Sequence, residues 1–334
     1  MALAGLALGF VPVLLFLGTL MLLDSYQLVR RRDVLRTLAV GALSAGAALV
    51  VNRALLDLLH LDPVALRRYA APVSEEILKA LFLVRLVRAH RVGFTVDAAI
   101  QGFALGTGFA LVENVYYAAA LGTFQPLTWV VRWLGTAIMH GSTTAIVGIL
   151  AKDLSDRHGT PALRWFLPGL GVAVVVHSFF NHLVLNPLAT TALLLVAMPL
   201  LLVLVFERSE RATRAWLGQG IDSDLELLEL ILGDQIADSR IGRYLDSLRS
   251  HFPGAVVADM LCLLRVHLEL ALGAKGILLA RAAGVRIPVD PAVRADFAEL
   301  RYLERSIGTT GRLAIQPFLR TSSRDLWQLH MLQR

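Results

Sequence analysis

The segment Ser74-Glu75-Glu76-Ile77-Leu78-Lys79-Ala80-Leu81-Phe82 places three charged side chains inside an apolar run of membrane-spanning length. On a helix, Lys79 follows Glu76 by three residues and Glu75 by four, so its ammonium group can reach either carboxylate. A charged group at the centre of a bilayer costs about 2.5–3.5 kcal/mol on insertion scales. Three such groups on one helix therefore indicate a functional site.

The composition of the whole chain is that of a membrane protein. Of the 334 residues, 56% are hydrophobic and 17% are charged, and the mean hydropathy is +0.63. These values are too apolar for a soluble domain of this size. We therefore predict an all-α, polytopic protein embedded in a lipid bilayer.

Seven apolar segments are long enough to cross a bilayer. They are residues 3–23, 37–56, 64–84, 96–120, 127–150, 165–185 and 187–206. From Glu207 onward the pattern changes to amphipathic helices with ordinary charge density. We predict a transmembrane bundle over residues 1–206 and a cytosolic helical domain over residues 207–334, with Gly218–Gly220 as a linker between helices.

The positive residues of the loops predict the orientation of the spans. Those that follow the first, third and fifth segments are Arg30, Arg31, Arg32, Arg36, Arg85, Arg88, Arg91, Lys152, Arg157 and Arg164. The loop at 122–128 and the turn Asn186–Pro187 carry no charge. The N-terminus is then outside and the C-terminus cytosolic, with Arg53, Arg67 and Arg68 as the exception. Because short loops carry most of the net charge of +6, we expect no nucleic-acid partner.

Polar residues on four successive segments fall at similar predicted depths. At 1.5 Å of rise per residue, all of them lie between the outer surface and the middle of the bilayer. They are Glu75 and Glu76 on the third segment, Glu113 on the fourth, His140 on the fifth, and His177 and Asn181 on the sixth. We therefore expect these side chains to meet in one pocket.

The fourth segment carries small residues at four-residue spacing. Gly102, Gly106 and Ala110 follow one another on one stripe, with Gly108 beside them. Small residues on one face allow helices to approach closely in lipid. This pattern predicts that the fourth helix lies in the middle of the bundle.

The six polar residues suit peptide hydrolysis. A glutamate beside a histidine can take a proton from water. His177 and Asn181 are four residues apart and share a helix face, which suits them to stabilise an oxyanion or to orient the base. Alternatively, histidine and glutamate ligands hold a zinc ion with an open position for water. Cys262 is the only cysteine, so the sequence offers no thiolate cluster.

The sequence lacks the signatures of other intramembrane hydrolases. It contains no HExxH zinc helix, no Gly-x-Ser-x-Gly nucleophile elbow and no Gly-x-Gly-Asp motif. Serine, aspartic and site-two-type enzymes are therefore disfavoured.

Four motifs in order resemble the PrsW family of intramembrane proteases, which is similar to the CAAX-prenyl protease and bacteriocin-processing membrane proteins. The motifs are Glu75-Glu76-Ile77-Leu78-Lys79, Gly108-Phe109-Ala110-Leu111-Val112-Glu113-Asn114-Val115-Tyr116-Tyr117, His140 and His177-Ser178-Phe179-Phe180-Asn181. The resemblance covers about residues 65–185. It implies a protease of the bacterial cytoplasmic (inner) membrane that cuts a membrane-anchored protein, such as an anti-sigma factor.

The resemblance also implies roles for individual residues. It assigns Glu75 and Glu76 to a paired-glutamate motif, Glu113 to a second glutamate, and His140 and His177 to two histidines. In the mechanism that we favour, Glu75 or Glu76 activates water, and Asn181 helps to hold the oxyanion. Zinc is a candidate cofactor, because the family is described as metal-dependent while its relatives suggest a metal-free glutamate mechanism. Its candidate ligands are Glu113, His140 and His177.

Two other classes of function remain open from the sequence. A transporter or channel also gathers ionisable groups at mid-membrane, although no two-fold repeat of the segments is visible. A sensor or scaffold acting through residues 207–334 is the third class, and it leaves the four motifs unexplained. A cleavage assay with a single-pass membrane substrate discriminates among the three.

Overall fold

The computed structural model describes residues 2–121, 131–182, 186–233, 236–319 and 322–333. Within these ranges every regular element is helical and no strand is present. The all-α prediction is therefore confirmed for the described residues. The chain divides into two compact units, Met1–Glu210 and Arg211–Arg334.

The first unit is built from long helices. They are α1 (Ala2–Leu23), α2 (Arg31–Leu59), α3 (Ala71–Arg88), α4 (Thr95–Leu121), α5 (Thr136–Arg157), α6 (Leu167–His182) and the first part of α7 (Pro187–Leu232). Single π-helical turns, Leu66–Ala70 and Val131–Gly135, lead into α3 and α5, and a 3₁₀ turn, Leu163–Phe166, leads into α6. Such π turns are often found at functional sites.

Five helices of the described residues are long and apolar enough to cross a membrane. They are Arg31–Leu59, Thr95–Tyr117, Trp133–Arg157, Leu163–His182 and Leu188–Leu232. Within α1, residues Val11–Leu23 form a further apolar stretch, and α3 carries Glu75, Glu76, Lys79, Arg85 and Arg88, which is too much charge for it to join the five. The structure thus supports a membrane protein, and the count of seven spans stays a prediction. Parts of the predicted segments 127–150 and 165–185, and the loop at 122–128, lie outside the described residues.

Helix α4 is the central helix of the first unit. It packs against α2 on one side and α5 on the other. A Cβ atom on Gly106 would collide with the backbone oxygen of His140, and one on Gly108 would collide with that of Leu38. Gly41 of α2 makes the same kind of approach to the backbone oxygen of Leu105. The prediction from the small residues of α4 is therefore confirmed.

The buried core beside the site joins α3, α4, α5 and α6. Its members are Ala80, Leu83, Val87, Val92, Ala98, Leu105, Val147, Ala151, Phe166 and Ala173. All are apolar and mostly small or branched, which permits dense packing between long helices. This packing fixes the four helices that carry the predicted site residues.

The second unit contains four further helices after α7. They are α8 (Arg240–Leu248), α9 (Gly254–Ala282), α10 (Val293–Ile315) and α11 (Ser323–Leu332). Helix α9 packs against α10 and α11. Gly308 interrupts α10 with a φ of 67°, a conformation that glycine adopts without steric cost. Ser322 and Asp325 form a capping box at the start of α11.

The prediction of a linker at Gly218–Gly220 is wrong. Helix α7 continues through both glycines to Leu232. A Cβ atom on Gly220 would lie 2.8 Å from Lys275 Nζ, whereas one on Gly218 would meet nothing within 4 Å. Gly220 is therefore a close-packing position, and the sequence pattern of two nearby glycines does not distinguish packing from flexibility.

Candidate functional site

A cavity of about 480 Å³ lies among α2, α3, α4, α5 and α6. Four of the six predicted site residues line it: Glu75, Glu113, His177 and Asn181. The other two, Glu76 and His140, are buried and contact these cavity residues. The structure thus brings the six predicted residues into one region of the first unit.

Glu76 lies at the centre of the buried hydrogen-bond network. Only 1% of this residue is exposed, and its Oε1 accepts from Lys79 Nζ at 2.7 Å and from Thr143 Oγ1 at 3.3 Å. The same oxygen lies 2.9 Å from His177 Nδ1. Because a carboxylate only accepts hydrogen bonds, Nδ1 of a neutral His177 carries the proton and Nε2 presents its lone pair. Glu76 therefore fixes the tautomer and the ring orientation of His177.

His140 connects Lys79 to Glu113. Its Nδ1 lies 3.0 Å from Lys79 Nζ, and its Nε2 lies 2.6 Å from Glu113 Oε2. An ammonium group only donates, so Nδ1 accepts from Lys79, and Nε2 is the nitrogen that faces Glu113. The side chain of Glu113 is 20% exposed, whereas that of His140 is 0% exposed. Glu113 is therefore the member of this pair that substrate and water can reach.

Glu75 is the other carboxylate on the cavity wall. Its Oε1 accepts a hydrogen bond from Asn52 Nδ2 at 2.9 Å, and its Oε2 lies 3.8 Å from His177 Nε2. Asn52 in turn accepts a 2.6 Å hydrogen bond from Ser74 Oγ at its Oδ1. Asn52 is not among the site residues predicted from the sequence. The sequence does contain a signal for it, because a side-chain amide inside the apolar run of α2 needs a polar partner.

Helix α6 is tied to the π-helical turn before α3. Asn181 Nδ2 donates to the backbone oxygen of Arg67 at 2.9 Å, and Ser178 Oγ donates to that of Arg68 at 2.5 Å. A side-chain amide has two N–H donors, so Asn181 retains one after this contact. Asn181 therefore both holds the turn and presents a donor at the cavity.

Three residues offer metal-ligand atoms that lie within 4.8 Å of one another: Glu75, His140 and His177. The ligands predicted from the sequence were Glu113 and the two histidines, whereas the structure groups Glu75 with the histidines and puts Glu113 beside His140. Two imidazoles and one carboxylate match the ligand set of catalytic zinc sites. The donor set therefore fits a divalent metal.

The charges around these atoms also fit a divalent cation. Glu75, Glu76 and Glu113 supply three carboxylates, and Lys79 is the ammonium group that contacts one of them, Glu76. Glu76 Oε2 is buried and has no hydrogen-bond partner among the described residues. Buried carboxylates are stable when they are paired or bind a metal, so an excess of negative charge here favours a bound cation.

Comparison with known proteins places the chain in a family. A model of the PrsW family, described as intramembrane metalloproteases, matches residues 30–206, which is more than half of the chain. No match was found among curated proteins or among solved structures. The matched range contains α2 to α6 and all the residues of the cavity wall. The chain therefore belongs to the PrsW family of intramembrane metalloproteases.

Proposed function

We propose that this intramembrane protease cleaves a membrane-anchored protein in the cavity between α2 and α6, with Glu113 as the general base. The observation that carries the proposal is that Glu113, whose side chain is 20% exposed, lines the cavity, whereas its partner His140 is fully enclosed. Glu76 and His140 are enclosed, whereas Glu75 and Glu113 line the cavity. Family membership supports a protease and does not favour the transporter or scaffold alternatives.

Glu75, His140 and His177 would hold the metal, and zinc is the ion that this ligand set suits best. A bound zinc would supply a Lewis acid that polarises the scissile carbonyl and acidifies water. Glu76 accepts a hydrogen bond from Nδ1 of His177, and Lys79 donates one to Nδ1 of His140. Glu76 therefore orients His177 with Nε2 available, the pattern by which a second residue orients a metal ligand. Nε2 of a neutral His140 carries the ring proton and donates it to Glu113, so His140 would bind a metal through Nε2 only after that proton is lost.

Glu113 is the carboxylate left to move protons. It lines the cavity while its Oε2 is held by His140 Nε2, so its carboxylate can take a proton from water and later give it to the leaving amine. Asn181 also lines the cavity, and its second N–H is our candidate donor to the developing oxyanion. The two steps return Glu113 to its starting state while one peptide bond is hydrolysed.

The substrate that we propose is a single-pass membrane protein such as an anti-sigma factor, and the site is in the bacterial cytoplasmic membrane. The motif resemblance supports this substrate class. The loop charges support an outside N-terminus and a cytosolic unit after Glu207. A reporter that fluoresces only in the cytosol should then be active when it is fused after Arg334.

The test is cleavage of a doubly tagged single-pass anti-sigma factor by the purified full-length protein in detergent. Glu113→Gln should lower kcat by about 10²–10⁴-fold, the usual contribution of a general base. His177→Ala should lose both cleavage and bound zinc. A chelator should stop cleavage by the parent protein, and added Zn²⁺ should restore it.

Ser44→Ala is the matched control, since Ser44 lies on α2 and its hydroxyl donates to the backbone oxygen of Val40 in its own helix. Its cleavage rate should equal that of the parent protein. Full cleavage by Glu113→Gln would show that another group is the base. An active protein that holds no zinc and resists the chelator would overturn the metal assignment.

A further inference from the structure

Asn52 makes a polar bridge from α2 to the site on α3. Its Nδ2 donates to Glu75 Oε1 at 2.9 Å, and its Oδ1 accepts from Ser74 Oγ at 2.6 Å. The carboxylate of Glu75 can only accept hydrogen bonds, so the amide nitrogen has to face it. Ser74 on the opposite side of the amide holds the same orientation. The amide plane of Asn52 is therefore determined from both ends.

This bridge determines where the second oxygen of Glu75 points. With Oε1 engaged by Asn52, Oε2 lies on the side of His177, 3.8 Å from its Nε2. A glutamate side chain without such a partner samples several rotamers in a cavity of this size. The contact with Asn52 therefore selects the rotamer in which Glu75 joins His140 and His177.

We propose that Asn52 is a positioning residue that holds Glu75 in the geometry needed for metal binding and catalysis, and that Ser74 supports it. The inference rests on the proposed function of Glu75 as a ligand. Removing a residue that holds a metal ligand in place typically lowers metal affinity or activity by about 10–100-fold. Asn52 acts through Glu75, so the reaction should lose rate without losing affinity for substrate.

The experiment uses the full-length protein in detergent, the doubly tagged single-pass anti-sigma factor and Zn²⁺ itself. Asn52→Leu keeps the branching and the number of heavy side-chain atoms and lacks the hydrogen bond. It should lower kcat about 10–100-fold and leave KM within about twofold of the parent value. The chelator concentration that removes half of the zinc should fall by about tenfold. Ser74→Ala should show a smaller change in the same direction.

Asn52→Asp sharpens the test, because it places a carboxylate against the carboxylate of Glu75. Like charges in contact repel, so the Glu75 rotamer should be displaced and kcat should fall at least as far as in Asn52→Leu. Ser44→Ala, on the same helix, is the control and should behave as the parent protein does. Melting temperatures of all variants report whether a loss of rate comes from unfolding.

The outcomes separate this inference from the proposed function. Cleavage that is lost in Glu113→Gln and unchanged in Asn52→Leu, with unchanged zinc retention, overturns the role of Asn52 alone. If the parent protein cuts no substrate, the proposed function fails, and the zinc titration still decides whether Asn52 orders Glu75. A rise in KM with unchanged kcat would assign Asn52 to substrate binding and overturn the positioning role.

Discussion

Lys79 in the first unit and Lys275 in the second are both buried, and their surroundings differ in one respect. Lys275 Nζ contacts the carboxylate of Asp224, lies 3.1 Å from the backbone oxygen of Gly220, and lies 5.3 Å from the centre of the Trp216 ring. Among the described residues, Asp224 is the carboxylate that Lys275 contacts. Lys79 Nζ instead contacts Glu76 and His140, and two further glutamates lie in the same network.

The comparison shows that a buried charge does not by itself indicate a reactive site. The Lys275–Asp224 pair is neutral and is almost fully buried, with side-chain exposures of 0% and 3%. The network around Lys79 has more carboxylates than ammonium groups, and a cavity reaches two of them. The imbalance of charge, together with access to the cavity, therefore distinguishes chemistry from packing.

The largest expected effect is on the stability that the buried Lys275–Asp224 pair gives to the second unit, and we call this pair closed because both side chains are enclosed. Lys275→Met leaves Asp224 buried without its cation, which should lower the free energy of unfolding of the second unit by about 3–5 kcal/mol. Denaturant unfolding of the full-length protein in detergent measures this free energy. Limited proteolysis at sites after Glu207 reports the unfolding of the second unit. The double variant Lys275→Met with Asp224→Leu should recover most of the loss, because apolar residues often replace a buried pair at little cost.

Recovery in the double variant is the decisive control. If the double variant is as unstable as Lys275→Met alone, the lysine stem supplies packing that methionine does not reproduce, and the loss is not electrostatic. If Lys275→Met costs less than about 1 kcal/mol, water reaches Asp224 and the pair is not closed. Either result would weaken the contrast between the two lysines.

Lys79→Met should lower the rate as well as the stability, and its cost in stability should not exceed that of Lys275→Met. Glu76 keeps its contacts with His177 and Thr143 when Lys79 is removed, so the first unit retains most of its polar partners. His140 loses the donor that holds its Nδ1, and kcat should fall by about 10–100-fold. Cleavage kinetics and melting temperature, measured on the same sample, separate the two effects. A drop in melting temperature with an unchanged kcat would make Lys79 a structural cation like Lys275.

The sequence was sufficient to predict which helices carry the site, and it was not sufficient to predict the role of each residue. The motifs on α3 to α6 identified six residues that the structure brings together. Which of Glu75 and Glu76 faces the cavity depends on how α3 is rotated in the bundle. Adjacent residues on a helix point about 100° apart, so the rotation decides which carboxylate is enclosed, and the rotation is set by packing against neighbours.

Contacts between distant segments could not be predicted from the sequence for a related reason. Asn52 and Glu75 are 23 residues apart, and their meeting requires the packing of α2 against α3. The resemblance began at about residue 65, so it gave Asn52 no role. Residue periodicity reports which face of a helix is buried, and it does not report which polar atom across the interface satisfies an amide.

The smallest expected effects concern two glycines of α7 that look alike in sequence. A Cβ atom at position 218 meets nothing within 4 Å, so Gly218→Ala should stabilise the helix by up to about 1 kcal/mol through the better helix propensity of alanine. A Cβ atom at position 220 would lie 2.8 Å from Lys275 Nζ and 2.9 Å from its Cε.

Gly220→Ala should therefore displace the buried ammonium group, and its net effect should be about 1–2 kcal/mol less favourable than that of Gly218→Ala. Denaturant unfolding of the two variants side by side measures the difference in stability. Both variants gain the same helix propensity from alanine, so this gain cancels in the comparison. In the Lys275→Met background the difference should shrink, because the methionine side chain can bend away without breaking a hydrogen bond. Equal stabilities of the two variants in the parent background would mean that Lys275 is free to move. Its ion pair would then be as adaptable as a surface pair, contrary to the closed arrangement described for the second unit.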